Sequence, residues 1–187
     1  GKLSVQGTTD NKVVFTAQED DSFGSPGDTQ QNGNTTPGNS GNYFVFYDES
    51  DDESKFENAL FRYSATIPIQ TNNASPKILN TTFQNIAFEG VLLSGSSKPS
   101  INNCTFNNVT FPFRTSLVTY PLETNGNVIS GTTGRAVLIT DETLTQNVTL
   151  LKRAFADKAN IPYVFGNYTV GSGAVLTINP GVVCKFL

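Results

Sequence analysis

The sequence of 187 residues contains no histidine, no tryptophan and no methionine. Catalytic triads that depend on histidine, and metal sites built on imidazole, are therefore excluded. No apolar run approaches the roughly 18 residues that a membrane-spanning helix needs, so we expect no insertion into a membrane. The chain carries 12 Lys and Arg against 16 Asp and Glu, a net charge of −4, without a clustered basic stripe. Nucleic acid is therefore not an expected partner.

Cysteine is also scarce, since Cys104 and Cys184 are the only two. If the chain winds into stacked coils, the 80 residues between them correspond to about 15 Å along the coil axis. A disulfide needs Cα atoms within about 7 Å. We therefore predict no disulfide within one chain and two small buried side chains instead, with a bond from Cys184 to a neighbouring subunit as the alternative.

Asparagine, threonine, serine and phenylalanine are abundant, with 20, 23, 15 and 14 residues. Thr and Phe favour strands, while Asn and Ser favour turns. This composition is typical of a β-rich extracellular protein. The length fits a single domain over residues 1–187, with a long polar loop inserted at about 18–42. Because the chain starts at Gly1 without a signal peptide, we expect a processed chain or a piece of a longer one.

The most informative feature is a self-similarity of 23 residues in the middle of the chain. Residues 76–90 align without gaps onto residues 99–113, and a fainter copy lies 22 residues upstream, around Phe56. Such a period indicates a solenoid, in which each repeat buries its apolar side only against its neighbours. The matched pairs are Pro76 with Pro99, Ile78 with Ile101, Asn80 with Asn103, Phe83 with Phe106, Asn85 with Asn108 and Phe88 with Phe111; Phe56, Asn58 and Phe61 stand for Ile78, Asn80 and Phe83 in the fainter copy.

We therefore predict an all-β fold, a right-handed parallel β-helix (solenoid) of about 22–23 residues per coil. Equivalent strands lie about 4.8 Å apart, so Ile78 should stack on Ile101 and Phe83 on Phe106. The asparagines should form inward ladders at turns, where Asn tolerates a left-handed backbone. Roughly eight coils would give a rod on the order of 40 Å. A β-sandwich is the alternative, but it does not explain two gap-free copies with matched asparagines.

Two further segments have a weaker pattern. Residues 125–140 are interpreted as a fourth coil. Residues 149–159 fit either a short helix, from apolar residues at four-residue spacing, or a strand followed by a loop.

The two ends of the chain carry a second pattern. Residues 161–186 resemble the opening of a tandem repeat of large secreted bacterial β-helix proteins, in which a PYxV element leads to an LTI-PG-vv-kf coil. Residues 1–33 resemble the second half of that repeat, G-L-v-G followed by pvvFTs--DD--g-D-n. The matching residues are Leu176, Thr177, Ile178, Pro180, Gly181, Lys185 and Phe186 in the first element, and Gly1, Leu3, Val5, Gly7, Phe15, Thr16, Asp20, Asp21 and Asp28 in the second. Cys184 departs from the pattern at a position expected to be aliphatic.

This resemblance implies head-to-tail assembly. An uncapped β-helix end exposes unpaired backbone groups and apolar rungs, and we identify no capping helix at either terminus. End-to-end contacts that do not close generate filaments. We therefore predict a structural subunit of an extracellular or cell-surface filament, or one repeat of a fibrous adhesin, whose partners are copies of itself. The assembly ends are predicted at Leu3, Val5, Val182, Cys184 and Phe186.

The alternative function is a β-helix that binds carbohydrate or degrades polysaccharide, with surface glycans as partners. Degradation needs paired carboxylates, or acids with Ca²⁺ and a basic residue, on one face. No aspartate recurs at coil spacing near the four arginines, so we do not expect an enzyme. The arginines are Arg62, Arg114, Arg135 and Arg153.

Ca²⁺ is the one cofactor that the sequence suggests, with Asp20, Asp21 and Asp28 as candidate ligands and Asn32 nearby. Oxygen ligands on a glycine-rich loop suit this cation. The spacing matches no EF-hand loop, so a solvated acidic loop is the favoured alternative. The acidic run from Asp48 to Glu53 is interpreted as a solvated turn.

Seven sequons for N-glycosylation are present, a slight excess over the roughly four that the composition would produce by chance. Asn34 and Asn73, in predicted loops, are the candidate glycan sites. Asn80, Asn103 and Asn108 are better explained as ladder residues.

Overall fold

The computed structural model describes residues 1–25, 27–33, 37, 38, 41 and 44–187. In this part of the chain the fold is all-β without a helix, and it forms a parallel β-solenoid of about six turns with roughly 23 residues per coil. The predicted fold class is confirmed. The strands are β1 (Ser4–Gln6), β2 (Val13–Phe15), β3 (Phe44–Phe46), β4 (Lys55–Glu57), β5 (Ala59–Arg62), β6 (Ile69–Asn72), β7 (Lys77–Leu79), β8 (Thr82–Ile86), β9 (Val91–Ser94), β10 (Ser100–Asn102), β11 (Thr105–Val109), β12 (Phe113–Thr115), β13 (Val128–Ser130), β14 (Val137–Ile139), β15 (Glu142–Leu144), β16 (Val148–Leu150), β17 (Tyr163–Phe165), β18 (Tyr168–Val170), β19 (Leu176–Ile178) and β20 (Cys184–Phe186).

Three long parallel sheets form the walls of the solenoid. The first has the order β1-β4-β7-β10, the second β13-β11-β8-β5-β2, and the third β20-β17-β14-β12-β9-β6-β3. The last turns add two short pairs, β15 with β18 and β16 with β19. From β1 to β12 each turn therefore contributes one strand to each wall, as the 23-residue period predicts, and only the third wall continues to the C-terminal end.

Stacked phenylalanines fill the interior behind the second sheet. The ring centroids of Phe15 and Phe61 lie 4.7 Å apart, those of Phe61 and Phe83 5.5 Å, and those of Phe83 and Phe106 5.0 Å. Phe83 pairs with Phe106 in the strand register, and Ile78 pairs with Ile101 in the first sheet. The predicted apolar ladders are thus confirmed, including the fainter copy at Phe61.

The third sheet carries two inward ladders, because alternate residues of a strand face the same side. One ladder begins with Phe44 and ends with Cys184, and the other begins with Phe46 and ends with Phe186. The intermediate rungs are Ile69, Val91, Phe113, Val137 and Tyr163 in the first ladder, and Thr71, Leu93, Thr115, Ile139 and Phe165 in the second.

The matched asparagines occupy left-handed backbone positions, as predicted. Asn80 and Asn103 have φ of 51° and 54°, and Asn85 and Asn108 have φ of 54° and 55°. Their predicted inward direction is wrong, however, because Asn103 and Asn108 are exposed and the other two are partly exposed. Phenylalanine and isoleucine fill the interior, so the amides stack on the outside, where Asn108 Nδ2 donates to Asn85 Oδ1 at 3.0 Å.

The solenoid has fewer turns than the eight predicted. In the first wall, the starts of β1 and β4 are separated by 51 residues, whereas the starts of β4 and β7 are separated by 22. The segment between β2 and β3 adds length without adding a turn, so the predicted rod of about 40 Å shortens to about 30 Å at the 4.8 Å strand spacing.

The last turns differ from the middle of the solenoid. Residues 125–140 contain β13 and β14, which confirms the predicted fourth coil. Residues 149–159 form a strand followed by a loop instead of a helix. Phe155 in this loop is buried, with its ring centroid 5.9 Å from that of Phe106 and 5.1 Å from that of Phe113.

Candidate functional site

The C-terminal end of the solenoid exposes an apolar surface. Phe186 is 76% exposed and Ile178 49% exposed, and Val170 lies in the same exposed set. These three side chains line a depression of about 210 Å³ whose remaining walls are Phe165, Tyr168, Leu176 and Cys184. We call this surface the C-terminal face. The strands β18, β19 and β20 are the outermost strands of their sheets here, so each has one edge without a partner strand among the described residues.

The N-terminal end also presents edge strands, but aromatic rings pack its core more closely. The strands β1, β2 and β3 are outermost in the three walls. The Phe15 ring contacts that of Phe44 at 5.1 Å between centroids, and Phe44 contacts Phe56 at 5.2 Å. We call the surface formed by β1, β2 and β3 the N-terminal face.

The two faces carry equivalent positions of the third wall, although Phe46 is only 5% exposed and Phe186 is 76% exposed. Cys184 and Phe186 are the last inward rungs of its two ladders, and Phe44 and Phe46 are the first. A second copy stacked in register would therefore place Phe44 beside Cys184 and Phe46 beside Phe186.

The predicted end residues differ in exposure. Leu3, Val182 and Cys184 are partly buried, Val5 is only 7% exposed, and Phe186 is open to solvent. Sequence reasoning missed Val170, Ile178 and Leu187 as exposed members of the same end. The alternation of apolar residues in the last segment was the available signal for Ile178.

Two of the three candidate calcium ligands, Asp20 and Asp28, have other partners. Asp20 forms an ion pair with Arg62, with 3.1 Å between Oδ2 and Nε. Burial alone would raise the pKa of Asp20, but hydrogen bonds from Thr16 and Ser22 and the charge of Arg62 outweigh it and lower the pKa. Asp28 accepts hydrogen bonds from the backbone amides of Asn32 and Gly33 at 3.2 and 2.9 Å, and Asp21 is partly buried nearby in sequence.

A calcium site therefore lacks a preformed ligand cluster in the described residues. No group of three or more His, Cys, Asp or Glu side chains in that part of the chain is arranged to hold a metal ion. Calcium binding by this segment stays a prediction that a calorimetric titration with CaCl₂ tests.

The acidic run forms an ordered turn next to the first wall. Asp52 Oδ1 accepts a hydrogen bond from the amide of Ser75 at 2.6 Å, and Glu53 pairs with Lys77 at 2.7 Å. Asp48, Glu49 and Asp51 are exposed. These contacts link neighbouring turns and leave most of the negative charge in solvent.

The two glycan candidates have different outcomes. Asn73 is exposed at a turn, with φ of 57°, and its Oδ1 accepts a hydrogen bond from the Ser96 amide at 2.9 Å. Asn34 lies outside the described residues. Glycosylation of either residue stays a prediction.

Both cysteines are free thiols, in agreement with the predicted absence of a disulfide within the chain. Cys104 is fully buried, and burial raises its pKa to about 12. Cys184 is partly exposed on the C-terminal face, so the prediction of a buried side chain is confirmed for Cys104 and wrong for Cys184, whose partial burial also raises its pKa.

A lateral groove runs beside the third wall. It consists of two depressions of about 270 Å³ each, and Arg114 lines both. Arg114 Nη2 lies 3.2 Å from Oε1 and 3.1 Å from Oε2 of Glu89, whose side chain is 2% exposed. Phe88 lines one depression, and Thr140 and Asp141 line the other. Sequence reasoning missed this pairing, because Arg114 and Glu89 come from consecutive turns.

Comparison with protein-family models, with curated proteins and with solved structures finds no significant match to this chain. The solenoid of the structure supports the resemblance to tandem-repeat β-helix proteins at the level of the fold. The bacterial, secreted and adhesin features stay a prediction. Among the described residues no helix has the length and apolar character to cross a membrane.

Proposed function

We propose that the protein is a structural subunit, or one repeat, of an extracellular or cell-surface filament or fibrous adhesin that assembles by head-to-tail stacking of β-helix ends. The observation that carries this proposal is the exposed apolar C-terminal face combined with unpaired strand edges at both ends. Open edges and exposed apolar rungs favour pairing with another chain. The extracellular location is supported by the Asn-, Thr- and Ser-rich composition.

The partner proposed for the C-terminal face is the N-terminal face of a second copy. Both faces carry the same two inward positions of the third wall, so stacking continues both ladders in register. Because the two faces are different surfaces, the contact is heterologous and does not close on itself. Repetition of this contact gives a linear filament.

Sedimentation velocity over a concentration series, combined with negative-stain electron microscopy, tests the proposal. We expect oligomers that grow with concentration, and filaments in the images. Phe186→Asp should suppress both, because it places a charge on the C-terminal face. Phe88→Asp is the matched control, since it makes the same substitution at a ring that is 46% exposed and lies between β8 and β9, in the middle of the solenoid.

Two results would contradict the proposal: a wild-type protein that stays monomeric at high concentration without filaments, or a Phe186→Asp variant that assembles like the wild type. The mass in denaturant separates stacked subunits from copies joined in one polypeptide.

Carbohydrate binding is a second candidate function, favoured by the groove at Arg114. Sugar sites combine an apolar or aromatic surface with a few polar groups that fix the orientation of the ligand. Phe88 is 46% exposed in the groove, and Arg114 Nε and Thr140 Oγ1 are buried without hydrogen-bond partners among the described residues. A glycan array with the wild type and Phe88→Ala tests it; binding that Phe88→Ala leaves unchanged, or the absence of binding, would contradict this candidate.

A further inference from the structure

A second lateral cleft, separate from the groove at Arg114, opens beside the turn that follows β12. Its volume is about 310 Å³, and it is lined by residues 117–122 together with Lys98 and Arg153. This volume lies at the lower end of the range of small-molecule sites. It suits a ligand of the size of a single sugar residue.

The two cations of the cleft have no carboxylate partner. Ion pairs in the described residues engage Lys55, Arg62, Lys77, Arg114 and Lys158. Neither Lys98 nor Arg153 is among them, although the protein carries an excess of acidic residues. The cleft lining contains no Asp or Glu either. The lining itself therefore carries two cations and no carboxylate, while Glu142 Oε1 borders it by accepting a hydrogen bond from the Leu117 amide at 3.2 Å.

Tyr120 positions one of these cations. The Arg153 guanidinium carbon lies 4.4 Å from the centroid of the Tyr120 ring, a cation–π contact. The same ring packs edge-on against Phe113 in the core, with 5.5 Å between centroids. The guanidinium is thus supported on a rigid aromatic surface, and it also interacts with the side chain of Tyr163. Its planar fork has five N–H donors, more than this one partner uses.

The Tyr120 hydroxyl is buried and has no hydrogen-bond partner among the described residues. Leaving a buried hydroxyl unsatisfied is costly, so such a group normally has a partner. Burial raises the pKa of Tyr120 above its usual value, so the hydroxyl stays protonated and acts as a donor. An inner chamber of about 20 Å³, shared by Tyr120, Tyr163 and Arg153, leads from the cleft and has room for one water molecule.

We propose that this cleft binds the oxyanion of an acidic sugar residue, a carboxylate or a sulfate. Lys98 and Arg153 supply the positive charge, and the Tyr120 hydroxyl donates a hydrogen bond directly or through one water in the inner chamber. Charge-assisted hydrogen bonds to oxyanions are the strong ones, and the planar guanidinium matches a carboxylate or sulfate with two parallel bonds. This binding does not depend on the assembly of filaments.

Isothermal titration calorimetry at low salt tests the proposal with three probes: trigalacturonate, a sulfated heparin disaccharide and neutral maltotriose. We expect binding of at least one acidic probe and no binding of maltotriose. Arg153→Gln should weaken that binding about tenfold or more, and Tyr120→Phe severalfold. Lys152→Gln is the matched control, because it removes the same charge one residue away without lining the cleft, and it should leave the affinity unchanged.

The three probes distinguish the possible ligands. Binding of trigalacturonate alone identifies a carboxylate ligand, and binding of the heparin disaccharide alone a sulfate ligand; both support the proposal. Absence of binding by both acidic probes, or equal losses in Arg153→Gln and Lys152→Gln, would overturn it. If a folded Tyr120→Phe variant binds the acidic probe with the affinity of the wild type, the hydroxyl has no role in ligand binding.

Discussion

The rings of Phe83 and Phe106 lie parallel, with centroids 5.0 Å apart and an angle of 3° between their planes. Both side chains are fully buried, and they are equivalent residues of consecutive turns. Removing one ring leaves a cavity inside a stack that cannot collapse easily, so Phe83→Ala should lower the free energy of unfolding by about 3–5 kcal/mol. Urea denaturation measures it.

The control for this prediction is Phe88→Ala. Phe88 is 46% exposed, so its truncation removes less buried surface and should lower the free energy of unfolding by only about 1–2 kcal/mol. Equal losses in the two variants would mean that Phe83 does not lie in a close-packed stack.

Asn108 tests the left-handed turn positions. Its φ is 55°, and the equivalent residue of the next turn is Gly131, with φ of 61°. Alanine resists this backbone, so Asn108→Ala should destabilise the protein by about 1–2 kcal/mol. Asn108→Gly should cost less, because glycine adopts positive φ freely. Thermal unfolding compares the two, and an alanine variant as stable as the glycine variant would contradict the assignment.

The ion pair between Asp20 and Arg62 should be lost in acid. The folded-state pKa of Asp20 is below its usual value of 3.8, so the pair contributes fully at higher pH and its contribution disappears as pH falls through the folded pKa. The difference in unfolding free energy between wild type and Asp20→Asn should therefore be constant near neutral pH and shrink below about pH 4. A difference that does not change with pH would contradict this.

Thiol reactivity should differ between the two cysteines. Cys104 is 0% exposed with a pKa of about 12, so it should react with iodoacetamide only on unfolding. Cys184 is partly exposed and should react faster in the monomer. Filament formation should then protect Cys184, because the proposed contact covers it. Mass spectrometry of digests follows both; rapid labelling of Cys104 in the folded protein would be contrary to its burial.

The sequence predicted the architecture where identical positions recur, because stacked strands place Ile78 on Ile101 and repeat the same environment in each turn. It did not predict the direction of Asn108. The left-handed backbone favours asparagine at this position, and it does so whether the side chain points inward or outward. The repeat of asparagine therefore does not indicate the direction. The number of turns was overestimated because the segment between β2 and β3 is an insertion that adds length to a single turn.

Contacts between turns without a periodic signal could not be predicted. Arg114 pairs with Glu89 of the preceding turn. Arg153 contacts the ring of Tyr120 from a loop that also places Phe155 in the core. Each of these pairs occurs once, so no repeat marks it. The groove at Arg114 and the cleft at Arg153 depend on such unique contacts, so the sequence could not predict either of them.

The most direct test of head-to-tail stacking is a cross-link between copies. Stacking in register places residue 44 of one copy beside Cys184 of the next, about 4.8 Å apart between Cα atoms, within the range of a disulfide. In a Cys104→Ala background, Phe44→Cys should therefore give a ladder of disulfide-linked oligomers on mild oxidation, which non-reducing electrophoresis resolves. The account predicts this ladder only when both cysteines are present. Monomers alone, or dimers linked through Cys184 on both sides, would contradict it.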